Sequence, residues 1–197
     1  MNPEQEQNNN SLNPFLLIKT EVDKFIESLK NGNPNTSDYM NIYSEVYKFA
    51  EKGNSECTKL CNLYSAKVQN YIRDCKKKLE EESKTNLIDG ILMHTKNINI
   101  LIFWLTKAFS YLDLYYMKAE KHLTLSKLGL EIYEEEIYNW FNIENELNNM
   151  KSDEKSGNEE SSDKIKNLMQ ISEYLKFERP KIIRENGEIK WINEVKK

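Results

Sequence analysis

The chain is poor in the residues that punctuate β-rich and loop-rich folds, with 6 Gly and 4 Pro among 197 residues. Few alternating apolar and polar runs bounded by turn residues occur. That excludes a sandwich or barrel, and the sequence reads as all-α. Histidine is scarcer still: His94 and His122 lie in different segments with no motif around either. There is no glycine-rich phosphate loop, no Gly-x-Ser-x-Gly and no His-Glu-x-x-His. Cys57, Cys61 and Cys75 are odd in number, and no second Cys/His pair completes a zinc site around Cys57-x₃-Cys61. Buried apolar cysteines are the expectation. The run Glu134-Glu135-Glu136 points its carboxylates in successive directions and reads as a wet helix face. The sequence thus predicts no catalytic residue, no metal, no cofactor and no enzyme.

A long hydrophobic run is also missing. The most apolar stretch, residues 98–105, falls well short of the ~20 residues that a bilayer requires. Extending it to Met117 brings in Lys107 and Asp113, so it reads as a buried helix. The opening MNPEQEQNNN has no signal-peptide pattern, and with the free cysteines it predicts cytosol or nucleus and no membrane partner. Net charge is −4 with pI ≈ 5.5, which gives no electrostatic footprint for nucleic acid. Residues 164–197 are locally basic, with nine Lys/Arg against five Asp/Glu, and read as a solvated face.

What is present is helical periodicity. Residues 1–13 form a polar, Asn-rich tail expected to be disordered. Pro14 can start a helix carrying Phe15, Leu16, Ile18, Val22, Phe25, Ile26 and Leu29, which Asn31-Gly32-Asn33-Pro34 stops. Thr36, Ser37 or Asp38 can cap the next helix, and Gly53-Asn54 ends it. A long helix over 55–83 buries Leu60, Leu63, Tyr64, Val68, Tyr71, Ile72, Cys75 and Leu79. A shorter helix begins near Thr85, and the all-round apolar helix 98–117 is expected at the bundle centre. Helix 123–141 comes next, with Leu125, Leu128, Ile132, Tyr133, Ile137 and Trp140 on one face. Residues 148–163 read as a flexible acidic insertion, and 164–197 as the start of a second helical unit in a chain cut from a longer protein.

Two segments carry more information than these. In residues 37–50 the apolar side chains Phe49, Ile42, Val46, Ala50, Tyr39, Tyr43, Tyr47 and Met40 cover roughly half the helix cylinder. A helix packed on one core needs a stripe little wider than ~100°. This one has a second surface to cover, with Ile42, Val46 and Phe49 expected inside. Residues 109–117 (FSYLDLYYM) are similarly aromatic.

Together these segments resemble the N-terminal region of a cullin, the elongated scaffold of multisubunit ubiquitin ligases. The family's adaptor-binding helix has the form Tyr-Met-x-Leu-Tyr-x-x-Val-Tyr. Here Tyr39-Met40-Asn41-Ile42-Tyr43-Ser44-Glu45-Val46-Tyr47 matches it closely. Tyr111-Leu112-Asp113 matches the aromatic-Leu-Asp/Asn-Arg run that ends the fifth helix, and Leu128-Gly129-Leu130-Glu131-Ile132-Tyr133 the Gly-Leu-x-aromatic helix after it. Arg184-Glu185-Asn186-Gly187-Glu188 is similar to the turn that opens the next part of the stalk. Leu114 departs from the pattern, standing where the family usually carries Arg; the family's earlier tryptophan is missing, and Trp104 lies nearer the helix end.

The resemblance implies a five-helix cullin repeat over residues 14–147. It implies an adaptor at the N-terminal tip, of the Skp type first and the BTB type second. The candidate surface is Tyr39, Met40, Tyr43, Tyr47, Tyr111, Leu114 and Tyr115. The RING subunit would bind only through a C-terminal domain that this sequence does not contain. Tyrosine and methionine suit such a surface on physical grounds, since they bury much area and tyrosine keeps a polar tip. The competing reading is a helical interaction domain of another family that uses the same aromatic face.

Overall fold

The structure, a computed structural model, describes residues 13–31, 36–81, 87–120, 123–143, 145, 147–149, 164–169, 182–185 and 188–191. The expected disordered tail, except Asn13, and residues 150–163 of the expected insertion lie outside them. Helix α1 (Pro14–Lys30) opens with the Asn13 side chain accepting the Phe15 N–H at 3.0 Å and Pro14 in the first turn. The cap satisfies an orphan donor, and proline has no N–H there to lose. Ile18, Val22, Phe25 and Ile26 form its buried stripe, while Leu16 faces solvent.

Helix α2 (Thr36–Ala50) already includes Thr36, Ser37 and Asp38, so these residues occupy its first turn rather than the cap. Ile42, Val46 and Phe49 are buried as expected. The chain turns at Gly53, whose φ of 135° lies where side chains are disfavoured. Its carbonyl accepts the N–H groups of Glu56 and Cys57 and starts α3 (Asn54–Glu81). Leu60, Tyr64, Val68, Ile72 and Leu79 make α3 the axis of the core. The three cysteines are free and buried. Burial pushes their thiols up, and that of Cys75 reaches about 11.

Two expected helices are one. Helix α4 (Leu87–Ala108) is continuous and passes into a π-helical turn at Leu112–Met117. It runs antiparallel to α3, fixed by Tyr64 against Phe109 and by Thr58 with Tyr116 (2.9 Å). It is not the buried centre that its composition suggested. Ile98, Leu101, Leu105 and Phe109 face inward, but Met93, Ile100, Phe103, Leu114 and Tyr115 stand exposed. The bundle covers α4 with α2, α3 and α5, and that leaves one stripe open.

Helix α5 (Leu125–Tyr133) is capped by Thr124, whose hydroxyl accepts the Lys127 N–H. It continues through a second π-helical turn (Glu134–Tyr138) into α6 (Asn139–Phe141), which ends at Asn142 with φ 52°. Gly129 lets α5 lie against α4: a Cβ built there would sit 2.9 Å from Ile102 Cγ1. Glu136, expected in water, instead accepts from Arg73 (2.9 Å) and Gln69 (2.8 Å) of α3. Trp140 is partly exposed beneath Lys76.

The bundle is all-α. Residues 164–169 are helical and bury Ile165 and Leu168. Residues 182–191 differ from the expected helical unit. Strand β1 (Ile182–Glu185) pairs antiparallel with β2 (Glu188–Trp191), Ile182 opposite Trp191 and Glu185 opposite Glu188. The two residues between them in the sequence are Asn186-Gly187, a strong short hairpin signal.

Candidate functional site

Helix periodicity builds the candidate face. With Ile42 and Val46 turned inward, Tyr39, Tyr43 and Tyr47 recur every fourth residue along the edge of α2, and Met40 points to solvent at 50 % exposure. The C-terminal half of α4 lies alongside in parallel. Trp104 stacks on Tyr39 with ring centroids 5.2 Å apart, and Tyr111 meets Tyr47 edge-on at 4.9 Å. Tyr115 lies 4.7 Å from Tyr111 and extends the strip beyond α2. Tyr43 is half-buried between these two groups, close enough to influence both Tyr47 and Tyr111. Leu114 and Tyr115 are each 61 % exposed.

Tyr39, Tyr43, Tyr47, Tyr111 and Tyr115 therefore come together in one place. Met40 and Leu114 flank them as exposed apolar side chains. Two rings escaped the sequence reading, Trp104 and Phe103, the latter packed on Trp104 at 5.4 Å. Their signal was the surplus of apolar residues on α4, which a central helix would explain equally well.

The electrostatics keep the tyrosine hydroxyls protonated. The Glu51 carboxylate beside the Tyr47 phenol holds its pKa above the ordinary value. Partial burial, then the charge of Glu51, does the same for Tyr111. Both hydroxyls are thus proton donors at neutral pH. Aromatic pairs at these separations add attraction beyond the area they bury, and each ring keeps a polar tip for a partner. The arrangement can bury area and exchange hydrogen bonds. It brings no acid, base and nucleophile together. Among the described residues no group of His, Cys, Asp and Glu is placed to hold a metal ion, and no helix is long and apolar enough to cross a membrane.

Asp113 has a different task. Its carboxylate accepts the Leu125 N–H at 2.7 Å, while Tyr64 donates to the Leu125 carbonyl at 2.9 Å. The start of α5 is thereby tied to the π-helical turn of α4, which carries Leu114 and Tyr115. A model of the cullin alpha solenoid domain matches residues 19–194. The chain belongs to the cullin family. It is 24 % identical over 127 residues to Cullin-1 of Oryza sativa subsp. japonica, across 59 % of this chain. The match takes in 17 % of that relative's length. In this cullin domain, Tyr111 is part of the aromatic face, whereas Leu112 lies in the core and Asp113 holds the α4–α5 corner. Gly129, in the other expected hallmark, permits the close approach of α4 and α5.

Proposed function

We propose that this chain is the adaptor-binding end of a cullin scaffold for a multisubunit ubiquitin ligase, itself without catalytic residues. One observation carries the reading: α2 and the end of α4 bring Tyr39, Tyr43, Tyr47, Tyr111 and Tyr115 into one partly exposed aromatic strip bordered by the exposed Met40 and Leu114. A Skp-type adaptor is the first candidate and a BTB-type adaptor the second. Leu114 gives an apolar contact in the position where the family usually offers a cation. A RING subunit and substrate receptor would join through other parts of the assembly.

Titration calorimetry with a purified Skp-type and a purified BTB-type adaptor tests this directly. One class should bind, and Tyr43→Ala should weaken it by ~2 kcal/mol, about thirtyfold. Unchanged affinity in a folded Tyr43→Ala variant removes Tyr43 from the interface. Failure of both adaptor classes to bind favours a helical interaction domain with a different partner.

A further inference from the structure

The aromatic strip along α2 does not account for the exposed stripe on the α5 side of α4, where Phe103 stands at its edge. Met93, Ile100 and Phe103 are 51 %, 40 % and 53 % exposed and lie on one line down the helix. At 1.5 Å per residue that line is about 15 Å long. Beside it, α4 and α5 enclose an open groove of ≈ 1070 Å³ whose floor includes Ile102, Leu130 and Tyr133. The Tyr133 hydroxyl is already bonded to that of Thr95 at 2.6 Å, so the polar groups of the floor satisfy each other. Leu92, Met93, Ile100, Phe103 and Trp104 make most of its wall apolar, with Asn99, Ser126 and Asn167 as further polar lining residues.

Among the described residues Lys96 is the charged side chain that lines the groove, and Lys107 lies 5.6 Å from the centre of the Phe103 ring; the nearby carboxylate of Asp89, one turn before Met93, is paired with Lys164. Neither lysine forms an ion pair among the described residues. Between Gly90 and Leu112 the sequence contains no Asp or Glu at all. We propose that this groove docks an amphipathic helix of a partner protein, apolar along one face and carrying carboxylates at its edges. Helices seat in such grooves through side chains at i, i+3 or i+4, and i+7, a spacing that Met93, Ile100 and Phe103 complement. The lysines would pair with the carboxylates at the rim and steer the encounter. The site adjoins the aromatic strip at Trp104, but it lies on the α5 side of α4 and does not depend on the adaptor reading.

The probe is a fluorescein-labelled helical peptide of about 16 residues, with Leu along one face and Glu at the flanks. Its control has Lys for every Glu. Fluorescence anisotropy with the full chain should show the Glu peptide binding about tenfold or more tightly than the Lys peptide. Phe103→Ser, and the pair Lys96→Glu with Lys107→Glu, should each weaken the Glu peptide about tenfold or more, with circular dichroism reporting the fold. Tyr43→Ala should leave the peptide's affinity unchanged, so failure here is distinguishable from failure of the adaptor reading. Equal affinity for both peptides overturns the proposal, as does an unaffected, folded Phe103→Ser variant. So does self-association of the chain that Phe103→Ser abolishes, which would assign the groove to a second copy. Binding of the Glu peptide only after deletion of residues 170–181 would assign it to the chain itself.

Discussion

Replacing Gly129 by alanine sets two opposing effects against each other, and the structure decides between them. Alanine is the better helix former by ~0.8–1.0 kcal/mol, so on an isolated helix the change would stabilise. In α5, however, the new Cβ would meet Ile102 Cγ1 at 2.9 Å and its Cδ1 and Cγ2 at 3.1 Å. Carbon atoms rest ~3.5–4.0 Å apart, so one helix or the isoleucine must yield by about half an ångström or more. Rotating χ1 exchanges one γ-carbon for another, and Ile102 is 3 % exposed with little room to retreat. Overpacking of this kind costs ~1–3 kcal/mol. The net expectation is a loss of about 1 kcal/mol, or roughly 2–4 °C in Tm.

Urea unfolding monitored by helical circular dichroism measures it, and a second background makes the cause explicit. Ile102→Ala removes all three crowding atoms and should cost ~2–5 kcal/mol by itself. Added to that background, Gly129→Ala should now stabilise by about 1 kcal/mol, because only the propensity gain remains. If alanine stabilised the wild-type chain and the Ile102→Ala chain equally, the close approach of α4 and α5 would be refuted.

Leu114→Arg should shift stability by no more than ~0.5 kcal/mol, because the side chain is 61 % exposed; a collapsed melting temperature would place Leu114 in the core. Asp113→Ala should cost ~1.5–3 kcal/mol by leaving the Leu125 N–H without its charged acceptor; a variant as stable as wild type in urea would show that the corner holds without it. Asp113→Asn keeps an acceptor but cannot ionise. Because burial raises the Asp113 pKa above 3.8, wild type should gain on the Asn variant as pH falls through the folded value towards 3.8. A stability gap between the two that ignored pH between 7 and 3.5 would contradict that sign.

Sequence periodicity was sufficient for α1, α2 and α3, whose buried residues recur at helical spacing. It split α4 because Gly90 and the polar run around Lys96 and Asn97 look like a boundary, although buried Ile91 and Ile98 carry the helix through. The same pattern hid the exposed stripe. A helix apolar on all sides fits both the bundle centre and a wall with one open face, and only the positions of its neighbours distinguish them. The tyrosines of α2 were legible because they exceeded what one core could bury. Their pairing with Tyr111 was not, since it depends on the relative shift of two helices. At residues 182–191 the turn around Asn186-Gly187 was legible, but the strands flanking it were not, because they are too short to display alternation.

The two π-helical turns have a consequence for how the tip can change. A wide turn holds one residue more than an α-turn, and each residue advances a helix by ~100°. The turn at Leu112–Met117 therefore sets the phase of its own side chains, with Leu112 and Met117 inside and Leu114 and Tyr115 in water. The outward face is specified by a count of residues as much as by their chemistry. A chain one residue shorter at this turn would keep almost every side chain and present a different surface. Deletion of a single codon is enough to re-aim the tip while the core upstream of it stays as it is.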